Sequence, residues 1–352
     1  MVTAKDIAKE AGVSRPTVSL VLSGRYQRDL KISEAVAERV KAAARKLNYH
    51  RNAVACSMRS GKTNVVGFLG DLGEVGNSYM MAQIDGMTDA LQKNNYLLKL
   101  FSLKENNFHE LCDQCVEQRL AGVICRTTDE ELLEYLHIQC SENKIPVVLL
   151  GNSIHHDWCP RVVTDAERGM ELAVDHLVQT GCRRIGYVNV TKEMGLVIAR
   201  KKGFLRAMKK HKGKIENAGI LDFPFGFTMQ KEHYVLLDEF YRESHPDALV
   251  CVSDTVAMKV EVWAYSRNIR IPENLAVTGF ANLDFAMLAV PPLTTIAQPI
   301  KEMGIMAAET VLQMAQQDEA TADDVVLPVE LIIRDSTAKI KHQKRITTEV
   351  SK

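Results

Sequence analysis

The stretch GVSRPTVSLVLSG, residues 12–24, decides how the front of this chain is read. Its Val13, Thr17, Val18, Val21 and Leu22 recur at helical spacing and share one face, yet Arg15 and Pro16 stand where that helix begins. Proline is tolerated in a first turn because the N–H it lacks has no partner there. Upstream, VTAKDIAKEAG offers an earlier helix, with Thr3 and Asp6 in the T-x-x-D capping pattern and Gly12 to end it. Helix, tight turn at 11–13 and second helix together predict a helix-turn-helix. In that motif the first residues of the second helix touch base edges in the major groove. Arginine there donates two hydrogen bonds to guanine O6 and N7, and a proline ring can lie against a thymine methyl. Ser33, followed by Glu34, caps a third helix running to about Asn48.

Charge separates a nucleic-acid head from an ordinary surface helix. The 352 residues sum to zero net charge, but residues 1–62 carry 13 Lys and Arg against 5 Asp and Glu, a balance of +8, leaving −8 on the rest. A compact basic segment on an acidic body points to a polyanion met by the small end only. With 46% hydrophobic and 25% charged residues, the composition is globular and long enough for two or three domains. No apolar run approaches the roughly 18 residues of a membrane span. MVTAKDIAKEAG lacks the basic and apolar regions of a signal peptide, so a cytoplasmic location is expected. The eight cysteines, such as Cys125 in GVICR and Cys251 in LVCVS, sit in apolar stretches and read as buried thiols of a reducing compartment.

From residue 65 the pattern alternates between apolar strands and amphipathic helices. Strands are expected at 65–72, 96–103, 122–126, 146–152, 184–190, 248–253 and 274–280, and helices fill the gaps, for example at 129–143, 229–244 and 254–268. Such alternation predicts parallel sheets covered on both faces, and the units are too many for one sheet. The expected fold is therefore an α/β core of two doubly wound parallel-sheet lobes with an N-terminal all-α helix-turn-helix domain. Ligands of such sheets bind beyond the carboxyl ends of the strands. No internal sequence repeat and no catalytic constellation is visible, so no enzyme activity and no cofactor are expected. His109, Cys112 and Cys115 read as an amphipathic helix with packed thiols rather than a metal site, because no second pair follows at ligand spacing. HHDWC, residues 155–159, reads as a surface loop between crossovers.

VTAKDIAKEAGVSRPTVSLVLSG resembles the N-terminus of the LacI/GalR family of bacterial transcription regulators. The likeness continues through ERVKAAARKLNYHRNAVACSMRSGKTNVVGFL, VVTDAERGMELAVDHLVQTGCRRIGYV, SDTVAMKV, PPLTTIAQP and LPVELIIRDST, and covers residues 2 to 337. The resemblance implies a DNA-binding head over 1–50, a hinge helix and linker over 51–63, a periplasmic-binding-protein-like effector and dimerisation core over 64–337, and a flexible tail over 338–352. It implies that Arg15, Pro16 and Leu20 face bases and that Ser14, Thr17, Ser19 and Ser23 contact phosphates; Thr3 and Arg25 are further candidates for DNA contact. It also implies that Asn52, Ala53, Ala55, Met58 and Arg59 form a hinge in the minor groove, with Met58 as an apolar wedge. Effector contacts implied by position are Asp71, Tyr79, Arg126, Arg200, Phe223, Ser253, Ala281 and Gln298, with Phe225 and Phe227 as alternatives to Phe223. The partners implied are a near-palindromic duplex operator, a small effector and a second copy of the chain, with no membrane. The tail has no leucine heptad, so a dimer is expected rather than a tail-joined tetramer.

Departures from the family pattern carry information. The loop at 25–31 is about four residues longer than usual, with Arg25, Arg28 and Lys31 available to phosphates, and Arg51 replaces a common proline. Family members that bind neutral sugars usually have an acidic residue after the aromatic of the GF or GY motif, where this chain has Ala281. The strand ending at 146–152 offers Gly151 and Asn152 rather than aspartate. Arg126 and Arg200 with few carboxylates favour an anionic effector such as a sugar phosphate or uronate. A neutral sugar or nucleoside remains the alternative if Asp71 neutralises one arginine. A repressor is the commoner role; a solute-binding or sugar-processing protein without DNA function is the competing class, opposed by the basic head and the missing export signal.

Overall fold

The computed structural model describes residues 2–22, 32–49, 63–71, 78–104, 106–151, 154–191, 195–224, 229–317 and 322–338. The chain divides into two compact units, Met1–Thr63 and Asn64–Lys352.

The first unit holds α1 (Ala4–Ala11), α2 (Arg15–Leu22) and α3 (Glu34–Lys46). Gly12 closes α1 in the left-handed conformation at φ +64, and the N–H groups of Gly12 and Val13 both return to the carbonyl of Ala8. This is the αL turn that glycine makes without steric cost, and it directs the chain into α2. Ile7, Ala8, Ala11, Val18, Val21, Ala37, Val40, Ala43 and Ala44 form one small core. The helical face read from the sequence is thus the packed face, with Val13 and Leu22 at its edge.

The second unit contains two six-stranded sheets. In the first, β1 (Val65–Gly70), β2 (Leu97–Ser102), β3 (Gly122–Cys125), β4 (Val147–Leu150), β5 (Arg161–Thr164) and β11 (Val325–Leu327) lie in the order β11-β5-β4-β3-β1-β2, all parallel. In the second, β6 (Arg184–Val190), β7 (Glu216–Phe223), β8 (Ala248–Cys251), β9 (Ala276–Ala281), β10 (Thr294–Ala297) and β12 (Glu330–Ile332) lie in the order β12-β10-β9-β8-β6-β7. Only β12 runs antiparallel, against β10. Both sheets share one winding, the order 2-1-3-4-5 plus a late edge strand, although the sequence shows no repeat. The two-lobed expectation holds. Strands β5, β10, β11 and β12, of three or four residues each, were not foreseen, nor was β7, an edge strand with a polar start.

The helices are α4 (Ser78–Lys93), α5 (Phe108–Glu117), α6 (Glu130–Glu142), α7 (Ala166–Gln179), α8 (Gly195–Lys210), α9 (Lys231–Ser244), α10 (Asp254–Ser266), α11 (Asp284–Leu288) and α12 (Ile300–Gln317). Alternate residues of lobe 1 strands feed opposite faces: Val66, Phe68, Ile124 and Val148 meet α4 and α12, whereas Leu69, Val123, Cys125 and Leu149 meet α5 and α6. The chain passes between lobes three times, from β5 into α7, from β10 into α12 and from β11 into β12. The loop at 155–159 therefore joins β4 to β5 inside lobe 1 and does not lie between crossovers.

Helices α4 and α12 approach so closely that a Cβ on Gly86 would stand 2.1 Å from the carbonyl oxygen of Lys301, and one on Gly304 2.1 Å from that of Gln83. Only glycine permits this reciprocal backbone contact. Lys301 on α12 adds ion pairs of 2.7 Å to both Asp85 and Asp89. In lobe 2 an acidic row on α7 faces a basic row on α8: Glu167 pairs with Lys202 and Arg206, Glu171 with Arg206, and Asp175 with Lys210 and His211.

Candidate nucleic-acid interface and effector site

In the head, Arg15 and Pro16 are both exposed on the first turn of α2. Ser14 precedes them, and its Oγ accepts the Thr17 N–H at 3.2 Å while the two hydroxyls lie 2.8 Å apart. This cap fixes Ser14 and Thr17 side by side next to Arg15. At the start of α1, the Asp6 carboxylate accepts both the N–H and the hydroxyl of Thr3 at 2.8 Å, and these bonds hold its pKa below the ordinary aspartate value. Ser19 and Leu20 are half-buried beyond the first turn. Lys46 on α3 reaches Glu10 on α1 at 2.7 Å. Ser23, Arg25, Asn52, Ala53, Ala55, Met58 and Arg59 lie outside the described residues, as do Arg28, Lys31, Arg51 and, apart from residues 63 and 338, the hinge and tail drawn at 51–63 and 338–352.

In the core, the expected effector residues collect at the carboxyl ends of parallel strands. Asp71 follows β1 and Arg126 follows β3, the neighbours between which the winding of lobe 1 reverses. Ser253 follows β8 at the matching point of lobe 2, Ala281 ends β9, and Gln298 follows β10. Such reversal points open the crevice in which doubly wound sheets take ligands.

Arg200 projects from α8 to the same place. It is 5% exposed, Nη1 donates to the carbonyl of Val252 at 2.8 Å, and the guanidinium lies 3.9 Å from the Phe280 ring centroid. Its Nε is buried without a hydrogen-bond partner, and no ion pair reaches it among the described residues. Burial lowers its pKa, while Tyr79, Tyr187 and Asp254 nearby oppose that fall. Tyr79 belongs to lobe 1, so the two lobes meet around this cation; Arg126 lies 5.6 Å from the Tyr79 ring centroid. Gln298 accepts from the Thr164 hydroxyl at 2.9 Å, linking two crossovers, and its Nε2 is buried without a partner.

Ser253 caps α10, accepting the Val256 N–H at 3.3 Å. Ala281 is held at φ +130 and Asn282 at φ +57, both in the left-handed region. A non-glycine residue persists there only when its surroundings over-determine it. Here Leu283 N–H donates to Asp254 Oδ2 at 2.7 Å, Asn282 N–H donates to Thr295 Oγ1 at 3.3 Å, and Arg334 donates to Asn282 Oδ1 at 2.6 Å. Asp254 also accepts from the Thr295 hydroxyl, and burial pushes its carboxyl pKa up.

Phe223 departs from the expected set. It is fully buried in the core of lobe 2 with His233 edge-on to its ring, so it backs the site rather than lining it. Phe225 and Phe227 lie outside the described residues. Sequence reasoning missed Asp254, Thr164 and Arg334. The serine–aspartate pair opening α10 was the one available signal, since Ser253 was already singled out. Cys112 and Cys115 are buried in lobe 1, and among the described residues no group of three or more potential ligands could hold a metal.

Two family models match: "Bacterial regulatory proteins, lacI family" over residues 3–52, and "Periplasmic binding protein-like domain" over 174–337. Over both stretches the chain is similar to LacI-type regulators. Among curated relatives, the HTH-type transcriptional repressor PurR of Photobacterium profundum is 28% identical over 96% of this chain and 98% of its own length. The ribose operon repressor of Haemophilus influenzae is 26% identical over 97% and 100%. The Lac repressor dimer bound to operator superposes with TM-score 0.77 at 20% identity, covering 96% of this chain and 99% of that one. A LacI family regulator from Enterococcus faecium with bound ribose gives 0.69 at 25%, covering 79% and 100%. The matched models are a lacI-type regulatory head and a periplasmic-binding-protein-like domain, and the curated relatives named above are transcriptional repressors. No helix among the described residues is long and apolar enough to cross a membrane.

Proposed function

We propose that this repressor acts as a cytoplasmic homodimer on a near-palindromic operator, and that a small sugar-type effector carrying negative charge sets its grip. Arg15 reads guanine through O6 and N7, Pro16 packs on a thymine methyl, and Leu20 adds an apolar contact. Ser14, Thr17, Ser19, Ser23, Thr3 and Arg25 contact the backbone and set register. Asn52, Ala53, Ala55, Met58 and Arg59 serve the minor groove. The observation that carries the DNA reading is the exposed Arg15–Pro16 pair on the first turn of α2 in a head of charge +8. Replacing Arg15 with alanine lowers specific affinity by about 1–3 kcal/mol and relaxes selection at one position per half-site. Fragment selection with wild type and variant tests this, and an unchanged consensus overturns it.

The effector reading rests on Arg200, whose buried guanidinium has an unpartnered Nε and no ion pair among the described residues. Leaving such a charge uncompensated is costly, and a ligand phosphate or carboxylate supplies the missing partner. Asp71, Tyr79, Arg126, Ser253, Ala281 and Gln298 complete the set. The ribose in the Enterococcus faecium structure and the name of the Haemophilus influenzae relative support the sugar class. A neutral sugar is the competing ligand, and calorimetry with ribose and ribose 5-phosphate separates the two. Tight binding of the neutral sugar with none of the phosphate overturns the anionic reading.

A further inference from the structure

Strands β6 and β8 are the neighbours between which the winding of lobe 2 reverses, and Asn189 is the penultimate residue of β6. It is 5% exposed. Its Nδ2 donates at 2.7 Å to Oδ1 of Asp222, the residue paired with it across β6 and β7. A carboxylate oxygen only accepts, so this bond fixes which way the amide faces: the NH2 group turns to Asp222 and Oδ1 turns away from it. That Oδ1 is buried and has no hydrogen-bond partner among the described residues.

The same layer holds Arg200. Tyr187, two residues before Asn189 and so on the same face of β6, stacks on Phe204 of α8 with ring centroids 4.8 Å apart. Helix α8 returns the chain to the parallel strand β7 and therefore runs back against β6. Arg200 lies one turn before Phe204, about 6 Å along the helix, which matches the advance of about 6–7 Å from Tyr187 to Asn189 along the strand. Val252, whose carbonyl accepts from Arg200 Nη1 at 2.8 Å, donates its own N–H to the Val188 carbonyl at 2.9 Å and so continues the β6–β8 ladder beside Asn189. Arg200 Nε and Asn189 Oδ1 thus adjoin at the strand ends, a buried donor and a buried acceptor, each without a partner among the described residues. The Tyr187 hydroxyl also lacks one there, but Tyr187 is fully buried one step deeper in the sheet.

We infer that Asn189 reads a hydroxyl on the carbon next to the effector's carboxylate, and that the effector is an aldonate, a sugar acid carrying that hydroxyl. Asp222 is the positioning residue that holds the amide. The inference rests on the anionic-effector reading above. A buried acceptor left unpaired is costly; a ligand donor removes that cost, and a ligand anion adds to it. The group that accepts from Arg200 Nε must therefore adjoin one that donates to Asn189. A carboxylate with a hydroxyl on the neighbouring carbon does both within one short unit. A single negative charge also suits the donors at hand. Nη1 of Arg200 is taken by the Val252 carbonyl, and the Asp222 carboxylate behind Asn189 opposes the second charge that a phosphate brings. A site built to bond a hydroxyl rejects the analogue that lacks it, because its buried acceptor is then left bare.

Isothermal titration calorimetry of the full chain tests this with D-gluconate, D-ribonate, the 2-deoxy form of each, ribose 5-phosphate and ribose. Wild type, Asn189→Ala and Asp222→Asn are compared, with circular dichroism confirming that each is folded. Wild type binds at least one aldonate more tightly than its 2-deoxy form by about tenfold or more. In Asn189→Ala that ratio falls below about threefold while the 2-deoxy acid binds as before, a split that a general loss of packing does not produce. Asp222→Asn, which lets the Asn189 amide face either way, lowers the ratio to an intermediate value. An unchanged ratio in Asn189→Ala overturns the role of Asn189, and an unchanged ratio in Asp222→Asn overturns that of Asp222. Wild type that binds neither aldonate, or binds each no better than its 2-deoxy form, overturns the inference. Ribose 5-phosphate binding more tightly than both aldonates overturns the hydroxy-acid class and leaves the anionic reading standing. Ribose binding with none of the acids or the phosphate overturns the anionic reading itself, and the inference with it.

Discussion

The two lobes of the core wind their strands in the same order yet fill their interiors with different chemistry. Lobe 1 buries Cys112, Cys115, Cys125, Cys140 and Cys159 around α5 and α6, and Gln83 and Thr310 are its buried polar side chains among the described residues. Lobe 2 buries Arg200, His233, Asp254, Lys259 and Glu261, together with Asn189, Thr278, Thr294 and Thr295. A thiol behaves as a small hydrophobe in a core, so lobe 1 gains cohesion without charge. Lobe 2 accepts the cost of buried ionisable groups, and most of them lie along the strand ends and α10. One lobe is a frame; the other carries the groups that respond.

The largest test of that contrast attacks the frame. Gly304→Ala places a Cβ against the backbone of α4, and α4 and α12 must separate to admit it. Overpacking of this kind costs about 1–3 kcal/mol or more, read as a lowered urea midpoint, and an unchanged midpoint would show that the helix contact is slack. In lobe 2, Asp254→Ala strips the acceptor from the Leu283 N–H and the Thr295 hydroxyl. Leaving buried donors unpaired costs about 1–3 kcal/mol, and it also loosens the Ala281–Asn282 turn. Glu261→Gln should remove a slope rather than lower a midpoint. Because the folded-state pKa of Glu261 lies near 8 against an ordinary 4.5, the folded chain holds that proton longer than the unfolded one. Its contribution is therefore complete below about pH 4.5, is lost as pH rises towards about 8, and stays constant above. Urea titrations of dilute protein between pH 5 and 8 should show this decline in wild type and a flatter profile in the variant.

The smallest expected signal comes from the thiols of lobe 1. Burial pushes Cys115, Cys140 and Cys159 up to about 12 and Cys112 and Cys125 higher, so thiolate is scarce at neutral pH. Iodoacetamide at pH 8 should leave all five unmodified until urea is added, and labelling of the native protein would mean that lobe 1 opens locally.

Much of this was legible in the chain alone. The three head helices and seven of the core strands follow from periodicity and capping residues, whereas Asp71, Arg126 and Ser253 came from the resemblance to the family, and the structure puts them at strand ends. Strands β5, β10, β11 and β12 escaped because three or four residues show no period. Asp254 escaped because its neighbours come from β9 and β10, far away in sequence. Phe223 was placed in the site by the resemblance, with Phe225 and Phe227 as alternatives, and only packing shows that its ring is buried in the core.

By itself, the amino-acid sequence determined the division into a basic helical head and an acidic α/β body, and the residues presented by the first turn of α2. Those features depend on local spacing, backbone preferences and charge. The equal winding of the two lobes, the burial of Arg200 with its Nε unpartnered among the described residues and the enclosure of Glu261 were decided only by tertiary structure. Each depends on which distant segments close over a side chain and exclude water from it, and a linear pattern of residues does not record that.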